Sequence, residues 1–176
     1  MNIGANMLGA SNLCYVIDTS SLIDICPLPP ENEIWHIIEM LQCENRLKVV
    51  PAVFDELEDF SLEYPAAIAR IKSYRKNLCI KETEQFLKEA ARIAEKYPRM
   101  SKPRAKLSQE RADPYVIAYA KICSSTHSQG CLVVASEGFG RGKIPNACRQ
   151  EQVGFINLAG MCQLERPNLK VINDNE

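Results

Sequence analysis

A chain of 176 residues with a hydrophobic fraction of 46% is long enough for one domain with a sizeable core. Its formal net charge of -1 excludes a protein that coats DNA or membranes through bulk charge, so any basic surface has to be local. Eight cysteines would suit a disulfide framework in a short secreted chain, but several lie in apolar runs such as Leu13-Cys14-Tyr15-Val16 and Cys131-Leu132-Val133-Val134 and read as buried, reduced thiols.

No C-x-x-C pair occurs, and only His36 and His127 could add imidazole, which argues against a structural zinc site. The first twelve residues lack a basic, signal-like region, and no segment approaches the roughly 20 apolar residues that span a bilayer. The expectation is a cytoplasmic protein with no membrane partner, divided into an extension (1–12), one domain (13–165) and a tail (166–176).

In chain order, Leu13 to Ile17 is a continuous apolar run closed by Asp18-Thr19-Ser20, which predicts a strand buried on both faces. After a Pro27 to Pro30 turn, Ile34, Ile37, Ile38 and Leu41 recur at helical spacing. Leu47 to Val50 predicts a second buried strand, and Pro51 suits the first position of the next helix, where a missing N–H does no harm. Pro65 to Asn77 and Glu82 to Tyr97 read as two charged helices separated by an apolar break at Leu78 to Ile80. Pro98 to Arg111 reads as a basic loop, with Arg99, Lys102, Arg104, Lys106 and Arg111 against Glu110 alone.

Asp113-Pro114 predicts a helix running to about Cys123, with Asp113 as its N-cap. Cys131 to Ala135 predicts a strand, Gly138 to Gly142 a flexible loop, Gly154 to Asn157 a last strand and Leu158 to Leu164 a closing helix. This alternation indicates an α/β fold with a mostly parallel sheet and helices on both faces.

In such a sheet, ligands collect at the carboxyl ends of the strands. Four acids fall on that edge: Asp18 at the end of the first strand, Glu56 early in the helix after the second, Asp113 at the head of a helix, and Glu137 after the third strand. Among the neighbouring acids Asp55, Glu56, Glu58 and Asp59, a turn of about 100° per residue puts Glu56 beside the apolar face of Val53, Leu57 and Phe60. Carboxylates held close repel one another unless a cation lies between them, and an oxygen-only donor set selects Mg²⁺ or Mn²⁺ over zinc. One such ion or two would make an attacking hydroxide from water and neutralise charge on a scissile phosphate.

These residues resemble a PIN domain over about Leu13 to Leu164. Val16-Ile17-Asp18-Thr19-Ser20-Ser21-Leu22-Ile23 is similar to the family's opening strand and its acid-Thr/Ser-Asn/Ser signature; Val53-Phe54-Asp55-Glu56-Leu57 and Asp113-Pro114-Tyr115-Val116-Ile117-Ala118-Tyr119-Ala120 resemble the helices that carry the second and third acids. Val133-Val134-Ala135-Ser136-Glu137-Gly138-Phe139 resembles the V-T-x-D-x-x-F stretch, with Ala135 and Glu137 standing where Thr and Asp are usual. The D-P dipeptide, Lys143-Ile144-Pro145-Asn146-Ala147-Cys148 and Gly154-Phe155-Ile156-Asn157-Leu158 look most like the DUF4411 group beside the VapC-type toxins.

The resemblance implies a three-layer α/β/α PIN-like fold. It also implies an Mg²⁺-dependent (or Mn²⁺-dependent) endoribonuclease that hydrolyses RNA with a metal-activated water, commonly a toxin neutralised by a protein antitoxin and often dimeric. Asp18, Glu56, Asp113 and Glu137 would be its catalytic metal ligands, and Ser20 a supporting polar residue.

Arg104, Lys106 and Arg111 run into Asp113, and Arg141 and Lys143 follow Glu137, so both groups are candidate RNA contacts. The glycine loop aligns with no nucleotide-cradle motif, and a phosphorylated aspartate at Asp18 would call for a second acid where Ser20 stands. The competing readings are a catalytically silent PIN-like module that binds RNA or protein, and a structure-specific DNA nuclease served by the same carboxylates.

Overall fold

The computed structural model describes residues 13–101, 111–126, 130–140 and 142–167. Among them, β1 (Cys14–Ile17), β2 (Leu47–Lys48), β3 (Cys131–Val134) and β4 (Gly154–Ile156) form one parallel sheet in the order β2-β1-β3-β4. The central pair aligns Cys14 with Cys131 and Ile17 with Val134. Tyr15, Val16, Ile17, Val133 and Val134 are fully buried, as strands covered on both faces must be. Each such side chain contributes about 1.5–3 kcal/mol through burial.

The helices are α1 (Thr19–Ile25), α2 (Glu33–Cys43), α3 (Pro51–Leu57), α4 (Pro65–Ser73), α5 (Arg75–Leu78), α6 (Glu84–Lys96), α7 (Pro98–Ser101), α8 (Asp113–Thr126), α9 (Ile144–Glu151) and α10 (Leu158–Glu165). They flank the sheet in the expected three-layer α/β/α arrangement. Pro51 occupies the first turn of α3, and the Asn32 and Thr83 side chains cap α2 and α6 by accepting from Ile34 N and Phe86 N. Phe86 of α6 packs edge-on against Tyr119 of α8, with ring centroids 6.1 Å apart.

Four expectations need correction. The helix expected over Pro65 to Asn77 breaks at Tyr74, whose N–H bonds back to Ile71 O, so α4 and α5 are separate. The apolar break that follows is an edge pairing: Val49 bridges Cys79 in parallel, and Ile80 N donates to Val49 O at 3.1 Å. The basic stretch expected to be loop opens with helix α7, started by Pro98. Helices α1 and α9 were not expected at all: the first is seven residues long, and the second opens on Ile144-Pro145 in a mainly polar stretch.

Glu151, at the end of α9, is a buried anchor. It accepts from Arg92 and Lys96 of α6, Lys121 of α8, and the Tyr97 hydroxyl. Burial alone would raise its carboxyl, but these hydrogen bonds hold it well below the usual carboxylate range.

Candidate metal centre

The strand order reverses between β1 and β3: β1 leads to β2 on one side and β3 to β4 on the other, which makes their carboxyl ends the switch point at which ligands of open α/β sheets collect. Asp18 directly follows β1, and its N–H bonds Val134 O at 3.0 Å, which ties it to the end of β3. Its Oδ1 accepts from Ser21 N at 3.0 Å, so Asp18 is the N-cap of α1. The Ser20 hydroxyl donates to the same carboxylate at 2.8 Å from Oδ2 and accepts from Ser136 N at 3.2 Å, while the Ser21 and Ser136 hydroxyls are 3.1 Å apart. Three hydroxyls therefore lock the turn after β1 to the turn after β3.

Glu56 is half-buried on α3, whereas Asp55, Glu58 and Asp59 are exposed. Its Oε2 accepts from the Thr19 hydroxyl, and its Oε1 accepts from Ala112 N at 3.0 Å, joining α3 to the heads of α1 and α8. Glu137, in the loop after β3, accepts from Lys143 Nζ at 2.9 Å and from Ile144 N at 3.4 Å, so it lies against the start of α9.

Asp113 is not the N-cap expected from Asp113-Pro114. Val116 N bonds Ala112 O at 3.0 Å, so the helical ladder starts from Ala112 and the carboxylate is left out of the cap. It is 7% exposed, and its Oδ2 has no hydrogen-bond partner among the described residues. Among the described residues the Arg111 guanidinium pairs with it at 3.7 Å, and the buried Arg111 Nε also lacks a hydrogen-bond partner there.

The electrostatics tie the four acids together. Burial pushes Asp18 up to about 6, against the hydrogen bonds from Ser21 and Ser20, with Glu137 adding repulsion. Burial raises Asp113 to about 7; Arg111 opposes this, while Glu137, Glu56 and Asp18 all push it further up.

Residues 15–169 match the family model described as Domain of unknown function (DUF4411). The chain belongs to this family. No curated protein matches this DUF4411 chain. Among solved structures it is similar to a chain of VapBC-1 from nontypeable Haemophilus influenzae, at 14% identity and a TM-score of 0.52, over 83% of this chain and 98% of that one. That likeness is one of fold.

The DUF4411 site fits a hard divalent cation in donor type: it is all oxygen, two of its acids are buried, and one of their oxygens has an open valence. No three of the carboxylates bring their oxygens within 4.8 Å of one another, because Thr19 and Ala112 hold Glu56 while Lys143 holds Glu137. Asp18, Glu56, Asp113 and Glu137 are the side chains that could hold such an ion.

Of the expected phosphate contacts, Arg111 lies at Asp113 and Lys143 is engaged by Glu137; Arg104, Lys106 and Arg141 lie outside the described residues. Sequence reasoning missed Thr19, Ser21 and Ser136. The Thr-Ser-Ser run after Asp18 signalled the first two, and nothing marked Ser136.

Proposed function

We propose that this protein is a divalent-metal-dependent endoribonuclease that acts as the toxin of a toxin–antitoxin pair, with Asp18, Glu56, Asp113 and Glu137 as its metal ligands. The observation that carries this reading is the buried Oδ2 of Asp113, which has no hydrogen-bond donor among the described residues and Arg111 only at 3.7 Å, set among three other carboxylates at the sheet's switch point. A buried carboxylate oxygen with no donor is destabilising on its own, and a cation is the partner that this chemistry calls for. The fold likeness to a VapBC-1 chain supports a nuclease toxin with a protein antitoxin.

Held by these carboxylates, Mg²⁺ or Mn²⁺ would supply a more acidic water and neutralise charge on a phosphate. The chain's own residues do the positioning. Ser20 and the Ser21 N–H fix both oxygens of Asp18, so the acid does not swing away from the switch point. Thr19 and Ala112 orient Glu56 from opposite sides. The Arg111 Nε is a donor open to a phosphate oxygen of the RNA backbone, next to the carboxylate that has the open valence. A double substitution of Asp18 and Asp113 to Asn tests the assignment. Calorimetric titration with Mn²⁺ should show binding to wild type and none to the folded double variant; equal binding by both would overturn it.

A further inference from the structure

The second cluster of metal-binding side chains lies at the other end of the sheet. The sulfurs of Cys14, Cys123 and Cys131 all fall within 4.8 Å of one another. Cys14 and Cys131 are the first residues of β1 and β3 and are partners in the parallel register, so both side chains leave the same face of the sheet. Cys123 comes from α8, which packs against both strands. Cys123 and Cys131 are buried and Cys14 is half-buried, and none of the three is in a disulfide.

We infer that Cys14, Cys123 and Cys131 form a three-thiolate binding site for a thiophilic d¹⁰ cation, Zn²⁺ or Cu⁺, separate from the carboxylate edge. With metal–sulfur bonds of about 2.3 Å, sulfurs around such an ion sit roughly 3.8–4.0 Å apart, so closure asks each side chain to move by less than about 1 Å. A donor set of sulfur alone selects soft ions and leaves Mg²⁺ and Mn²⁺ to the oxygens at the other edge. The Cys123 thiol is pushed up to about 11: Cys131 favours its thiolate, Cys14 and burial oppose it, and Lys48 on β2 offsets part of the charge that three thiolates bring. On binding, each S–H bond gives way to a sulfur–metal bond and its proton leaves to solvent, with no change in oxidation state. Three sulfurs complete a trigonal shell for Cu⁺, or leave Zn²⁺ one position for water.

The same three elements carry acids at their far ends. Asp18 follows β1 and Asp113 heads α8, roughly 13–15 Å from the cysteines at about 3.3 Å per strand residue and 1.5 Å per helical residue, and Glu137 lies in the loop after β3. An ion on the cysteines would staple the frame of the carboxylate edge and raise the melting temperature.

The test uses the full chain, reduced and stripped with chelator, titrated with Co²⁺. One equivalent should produce sulfur-to-cobalt charge-transfer absorption in the near ultraviolet. Oxygen ligands do not give that band, so it should persist in Asp18→Asn and reads this site independently of the nuclease assignment. It should be lost in Cys14→Ser and kept in Cys43→Ser, whose thiol is exposed elsewhere. Displacement by Zn²⁺ would identify zinc as the ion, and bleaching by Cu⁺ alone would identify copper. No band in wild type, a band unchanged in Cys14→Ser, or one lost in Cys43→Ser overturns the site. Should Cys14→Ser not fold by circular dichroism, maleimide labelling of wild-type Cys14 decides instead: Zn²⁺ protects it if the site exists, and unchanged labelling refutes it.

Discussion

Replacing Asp113 by Asn should stabilise the metal-free protein above neutral pH while removing its activity. Asp113 moves from 3.8 to about 7 on folding, chiefly because it is buried. The folded state therefore holds its proton more tightly than the unfolded state. Below 3.8 both states are protonated and the group is neutral to stability; between 3.8 and about 7 stability falls as pH rises, and the full penalty applies above about 7. At about 1.36 kcal/mol per unit the shift sets a ceiling on the order of 4 kcal/mol. Asparagine keeps the shape and loses the charge, but gives up the attraction of Arg111 at 3.7 Å. A net gain of about 2 kcal/mol is expected, roughly 4–8 °C in melting temperature for a chain of this length. The assay is thermal unfolding by circular dichroism with EDTA at pH 4 and pH 8. The variant should melt higher than wild type at pH 8 and with it at pH 4. No gain at pH 8, or an equal gain at both, would refute the reasoning. Adding Mn²⁺ at pH 8 should stabilise wild type far more than the variant.

Asp18→Asn should abolish cleavage and, at pH 8, leave the metal-free protein at least as stable as wild type, because asparagine caps a helix as well as aspartate does and burial raises the Asp18 carboxyl on folding, to about 6; a urea titration beside the activity assay checks both. Thr19→Val removes the hydroxyl that orients Glu56 and should lower the cleavage rate about tenfold with the melting temperature nearly unchanged. Glu151→Gln should destabilise by about 2–3 kcal/mol at pH 7, read by urea unfolding, since its partners on α6 and α8 are left with an uncharged acceptor. With its carboxyl held below the ordinary 4.5, that stabilisation is complete above 4.5 and is lost as pH falls through the folded value, so the wild-type advantage should shrink in acid.

The frame of the site is legible in the sequence wherever one rule dominates. The apolar runs of β1 and β3 can only be doubly buried strands, Pro51 marks the head of α3, and helical phase picks Glu56 out of four neighbouring acids. Short amphipathic pieces are not legible. Helix α1 begins with three polar residues and ends before a hydrophobic repeat can establish itself, and α9 shows its apolar face only in Ile144, Ala147 and Cys148. The open oxygen of Asp113, the Thr19–Glu56 bond and the serine bridge at Ser136 depend on which loops meet, which local patterning does not encode. The cysteine trio escapes spacing rules for the same reason: strand register and the packing of α8 gather residues that are far apart in the chain.

The most direct measurement of the central claim is cleavage of single-stranded RNA and flap DNA by the purified protein with Mn²⁺, run beside a folded Asp18→Asn variant. Metal-dependent cleavage of RNA that stops with EDTA and is absent from the variant is the predicted result. RNA binding without cleavage, or cleavage by Asp18→Asn at the wild-type rate, would contradict the account.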